Sequence, residues 1–95
     1  MSVNSKIFVK KLMEKAMTRP HGFGFYNPTL NGGKGGVDHI YYVNGQWEIF
    51  SRGAGWRDQA PTILSTEEIE IYLLENITHI RDTISRLGDL ERLFY

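Results

Sequence analysis

Asn44-Gly45, set between two runs of aromatic and β-branched residues in D-H-I-Y-Y-V-N-G-Q-W-E-I-F-S-R (residues 38–52), is the feature that most constrains this chain. Asn-Gly favours a two-residue type I′ hairpin, because both central positions need φ > 0. A turn there pairs Val43 with Gln46, Tyr42 with Trp47, Tyr41 with Glu48, Ile40 with Ile49 and His39 with Phe50. Side chains alternate between faces, so Ile40, Tyr42, Trp47 and Ile49 share one face, which is the core face. His39, Tyr41, Val43, Gln46, Glu48, Phe50 and Arg52 share the other. A slip of one residue would carry the apolar set into water, so turn and face specify the same register.

Upstream, Asn4 or Ser5 is placed to cap a helix running to about Met17, with Phe8, Val9, Leu12, Met13 and Ala16 on one side and lysines on the other. Arg19-Pro20 closes it, since the residue before proline is pushed out of the α region. A strand over Gly22 to Tyr26 points Phe23 and Phe25 the same way and leaves Gly24 and Tyr26 opposite. Asn27-Pro28 marks a turn, and Asn31 to Gly36 is a glycine-rich loop around Lys34.

Downstream, residues 53–58 form a second glycine-containing loop, and Pro61 to Leu64 reads as a short strand or an extended lead-in. Ser65-Thr66-Glu67-Glu68 has the form of a capping box, with Leu64 and Ile69 as its hydrophobic staple. From there Ile69, Leu73, Ile77, Ile80, Ile84 and Leu87 run close to a heptad seam. One helix from Thr66 to Leu87 would span roughly 33 Å at 1.5 Å per residue and overhang a small sheet as a dimer arm. A break near Asn76-Ile77-Thr78 would instead make a helical hairpin folded on its own core. Gly88 is the stop, and Leu90, Leu93, Phe94 and Tyr95 form an apolar end that needs a surface. The expected architecture is one α+β domain over residues 1–95. An antiparallel sheet of three or four strands is packed by Phe8 and Leu12 of an N-terminal helix and by Ile69 and Leu73 of a C-terminal helix or helix pair.

Composition bounds the function. The chain has no cysteine, which excludes a disulfide framework, a thiolate metal site and a cysteine nucleophile, and which fits a reducing cytoplasm. Ile7-Phe8-Val9 is too short for a membrane span or signal core. The formal net charge is zero, against binding of nucleic acid by bulk charge. Basic residues nevertheless gather in the first third and acidic residues in the last, two oppositely charged helix faces. The histidines His21, His39 and His79 have no metal-ligand spacing, and no cofactor is implied.

Residues suited to recognition concentrate near the loops: Lys34, Tyr41, Arg52, Trp56 and Arg57 combine positive charge with stacking surface. This set points first to a small non-catalytic inhibitor or adaptor docking on a protein partner. The second reading is a nucleotide-like anion held by the amides of N-G-G-K-G-G and by Lys34, although the loop lacks the Gly-Lys-Ser/Thr ending of a P-loop. The third is a metal-independent ribonuclease, with His39, Glu48 and Arg52 as base, acid and phosphate clamp on one hairpin face. A homodimer through the C-terminal helix is the remaining partner expectation.

Overall fold

A computed structural model describes residues 3–53 and 60–95. Its centre is the expected hairpin of β2 (Gly36–Val43) and β3 (Gln46–Gly53), with Val43 opposite Gln46, Tyr42 opposite Trp47 and His39 opposite Phe50. Asn44 and Gly45 hold φ of 52° and 78°, the positive pair that a type I′ turn demands. β1 (Phe23–Asn27) pairs antiparallel with β2, and β4 (Thr62–Leu64) with β3, giving a four-stranded sheet in the order β1-β2-β3-β4.

Alternation along these strands sends Phe23, Phe25, Ile40, Trp47 and Ile49 to one face, where they are buried in one cluster with Val9, Leu12, Ile69, Leu73 and Ile80 from the helices. The helices therefore cover that face alone. Tyr42 is half-buried and lies edge-on to Trp47, ring centres 5.0 Å apart and planes tilted by 59°. Phe8 is also half-buried and lies under the Arg81 guanidinium, 5.2 Å from the ring centre.

Helix α1 spans Val3–Met17, so Asn4 and Ser5 lie inside it rather than at its cap, and Ser5 is 8% exposed. The capping box opens α2 (Thr66–Glu75): the Glu68 amide donates to Ser65 Oγ at 3.1 Å, and Ser65 N–H donates to Glu68 Oε1 at 2.9 Å. The seam does not continue as one helix. It breaks at Asn76, and α3 (Ile77–Leu87) ends at Gly88 in the left-handed region, φ 88°. Ile69, Leu73 and Ile80 are fully buried, and Ile77 and Ile84 pack against the same core. The seam as far as Ile84 is thus spent inside the molecule, and Leu87 is exposed; the break separates two helices that each pack on the core.

α3 also closes one edge of the sheet. The Tyr26 amide, on the side of β1 away from β2, donates to Thr83 Oγ1 at 3.0 Å, and Phe23 forms a bridge to Phe94 in the segment after α3. Tyr95 N–H donates to the Gly22 carbonyl at 3.2 Å, so the apolar C-terminal residues find their surface along β1. Lys15 of the first helix and Arg19 just after it both pair with Glu91 and both lie over the Phe94 ring, tying the two ends of the described chain together.

One end of the core face is polar. Asp38, in the same row as Phe25 and Ser51, is completely buried. Its carboxylate accepts hydrogen bonds from Asn27 Nδ2 at 2.9 Å, from the Tyr72 phenol of α2 at 2.5 Å and from the Ser51 hydroxyl. Asn27 Nδ2 also donates to Asn76 Oδ1 at 3.1 Å, and Asn76 Nδ2 donates to the Tyr72 carbonyl at 2.9 Å. Three neutral donors take the place of water around the carboxylate, and among the described residues no buried side-chain nitrogen or oxygen lacks a partner.

Candidate functional site

The face of the sheet opposite the helices carries most of the residues singled out above. Strand parity places Val37, His39, Tyr41 and Val43 of β2 there, with Glu48, Phe50 and Arg52 of β3 and Ile63 of β4. Val43 is 36% exposed and Ile63 58%, while His39, Tyr41, Glu48 and Phe50 are half-buried. The cross-strand rows run Val37 with Arg52, His39 with Phe50, and Tyr41 with Glu48 and Ile63.

Arg52, Glu48 and His39 on this face each rest on an aromatic ring or pair with a phenol. Arg52 lies over Phe50, 5.1 Å from the ring centre. The Tyr41 phenol donates to Glu48 Oε1 at 3.3 Å, and burial followed by that carboxylate raises its pKa above the ordinary 10.0. His39 stacks on Tyr95 with ring centres 5.0 Å apart, its Nε2 3.2 Å from the Tyr95 phenol. Gly24, the partner of His39 on β1, makes this stack possible: a Cβ there would sit 2.9 Å from the Tyr95 oxygen and 3.0 Å from His39 Cδ2.

The His39 pKa is lowered from 6.5, first by burial and then by the Arg52 charge, against a raising contribution from Asp38 on the other face. At neutral pH the ring is therefore uncharged, suited to accept a proton and not to give one. His39, Glu48 and Arg52 do share the face, in successive rows about 7 Å apart at the strand rise. His39 faces Tyr95 and Glu48 faces Tyr41, so base and acid are each held by a phenol.

Lys34 and Arg52 lie at one end of the sheet, where Gly36 pairs with Gly53, whereas Tyr41 lies two rows away toward the hairpin turn. Tyr41 therefore does not gather with the loop cations. Trp56 and Arg57 lie outside the described residues. The glycine-rich loop is a tight turn, with Gly32, Gly33 and Gly35 at positive φ. It uses its own amides: Gly33 and Gly35 N–H donate to the Leu30 carbonyl at 3.2 and 2.9 Å, and Lys34 N–H to the Asn31 carbonyl at 3.2 Å. Those groups are the ones a phosphate cradle would aim at an anion.

Clefts adjoin the sheet, among them one between β1 and α3 lined by Tyr26, His79, Thr83 and Arg86. Another of about 230 Å³ beside the open face is lined by Pro20, His21, His39, Tyr41 and Val43, and one of about 290 Å³ lies between β4 and α2. No group of acidic and histidine side chains among the described residues could hold a metal ion, and no described helix is long and apolar enough to cross a membrane. The residue that the sequence reading passed over is Asp38. Its signal was parity, because the register that pairs Ile40 with Ile49 pairs Asp38 with Ser51 on the same core face. No protein family, curated protein or solved structure matches this chain.

Proposed function

We propose that the protein is a small, non-catalytic, cytoplasmic adaptor or inhibitor that docks on a protein partner through the open face of its sheet. The observation that carries this reading is the one-sidedness of the fold. The helices cover one face, and the other presents Tyr41, Val43, Phe50, Ile63 and His39 with Arg52 at its edge. Aromatic rings already ordered by neighbours, beside an arginine on a phenyl ring, are the groups that anchor protein interfaces.

Charge favours a protein surface over nucleic acid. Glu48 stands in the middle of the face and would oppose a phosphate backbone, while Lys34 and Arg52 at one end suit a single acidic patch on the partner. The anion reading has less support, because the loop amides are engaged within the loop. The chain's lack of cysteine supports a reducing compartment.

Immobilised wild type and the variants Tyr41→Ala, Arg52→Ala and Lys34→Ala, exposed to native lysate and read by native mass spectrometry, test this. The reading requires one protein held by wild type and lost with Tyr41→Ala and Arg52→Ala, each weakening binding by about 2 kcal/mol. A retained small anion lost with Lys34→Ala, or cleavage of labelled RNA in chelator lost with His39→Ala, would replace it.

A further inference from the structure

We propose that the edge of β4, with the groove between it and α2, is a strand-addition site for an extended peptide segment rich in basic and apolar residues. The two edges of the sheet are treated differently. β1 is closed by Thr83, by the Phe94 bridge and by the Tyr95 amide, whereas among the described residues β4 pairs with β3 alone. An unpaired strand edge is a template for another chain, and proteins commonly guard it with lysine or an inward charge. Thr62-Ile63-Leu64 has neither; its guards are its length of three residues and the preceding Pro61, so an added strand pairs there over a short stretch and depends on the groove beside it.

The side chains around the edge define what would fit. An added strand alternates its side chains, one set toward the open face beside Ile63 and the other toward the helix layer. On the helix side lies the groove of about 290 Å³, floored by Leu64 and Tyr72, with Ile71 exposed by 56% and Glu68 and Glu75 on its rim. An aliphatic side chain of the added strand enters there, and its neighbours on the same face meet the glutamates.

Charge selects the occupant. α2 carries Glu67, Glu68, Glu70 and Glu75 and no lysine or arginine, and the salt bridges among the described residues run from Lys15 and Arg19 to Glu91 instead. Twofold pairing of β4 with β4 of a second copy would set these acidic helices beside each other, and the lysine-rich α1 of a second copy is helical and offers no strand. A heterologous segment with lysine or arginine flanking an aliphatic residue meets both requirements. This surface adjoins the open face at Ile63, but the groove on α2 lies on the helix side of the sheet, and neither proposal depends on the other.

The test is selection of a displayed library of random peptides of about ten residues, long enough for one strand, against the full chain. Enriched peptides should alternate apolar residues with lysine or arginine and should shift the amide resonances of Thr62 to Leu64 and of α2. N-methylation of alternate backbone amides should abolish binding. Ile71→Asp and Glu75→Lys, both at exposed positions, should each weaken it about tenfold with the circular dichroism unchanged, and salt should weaken it further. Enrichment of acidic peptides, shifts centred elsewhere, binding to both variants as tight as to wild type, or no enrichment over a blank surface would overturn the proposal. So would dilution-dependent shifts of the β4 amides in the protein alone, which would assign the edge to a second copy.

Discussion

Asp38 is held by three donors on three different elements: Asn27 at the end of β1, Ser51 on β3 and Tyr72 on α2. Asp38→Ala would take the acceptor from the half-buried Ser51 and Tyr72 hydroxyls and leave Asn27 only its bond to Asn76, and it should cost about 3 kcal/mol, read from urea melts. Tyr72→Phe keeps the ring and removes one bond to a charged acceptor, with an expected loss of about 1.5 to 3 kcal/mol. The Tyr72 phenol has a pKa raised well above 10.0, first by burial and then by its hydrogen bond to Asp38 and the charge of that carboxylate. A group whose folded pKa is raised stabilises the fold fully below its unfolded value. Stability should therefore fall as pH rises through and beyond about 10, and Tyr72→Phe should flatten that limb. His39 has the opposite sign: its lowered pKa means that the unfolded chain takes up a proton first, so its contribution is lost as pH falls below 6.5.

At the scale of the element, α2 begins where local chemistry says it should and α3 is placed by what it covers. Ser65→Ala should cost about 1 kcal/mol, because the hydroxyl satisfies an amide that has no partner within the helix. Thr83 works differently. Its Oγ1 accepts from the Tyr26 amide on β1 and donates to the His79 carbonyl at 2.9 Å within α3. Thr83→Val conserves shape and removes the acceptor, so the expected result is about 1 kcal/mol of lost stability together with faster hydrogen exchange at Tyr26.

For the whole molecule, the seam of isoleucines sets a choice between an arm that reaches a second chain and a pair of helices folded onto the sheet. Ile80 is fully buried in the common core with Ile69 and Leu73. Ile80→Glu should therefore abolish cooperative folding, with a cost above about 4 kcal/mol, since the charge has no partner there. Circular dichroism and sedimentation decide it, and a well-folded monomer released from a dimer would contradict the packing described. The same one-sided packing leaves the opposite face of the sheet uncovered by the described helices.

The sequence by itself determined the hairpin, its register and its two faces, because Asn44-Gly45 dictates a local backbone geometry and alternation then assigns every side chain from His39 to Phe50. It also determined the start of α2, where the capping box acts within four residues, and the strand at Phe23 and Phe25. The position of Asp38 was implied by parity, but what makes a buried carboxylate tolerable was not. Its donors come from positions 11, 13 and 34 residues away, and only the fold brings them together. The break at Asn76 was legible as an alternative, and Asn76 meets it with a local bond to the Tyr72 carbonyl; what the sequence did not show is that Asn27 of β1 also donates to it. Tertiary structure also seated Tyr95 on His39, 56 residues apart, and closed the edge of β1 with Thr83 and Phe94. Each of these depends on contacts between distant segments, whose geometry local preference does not encode.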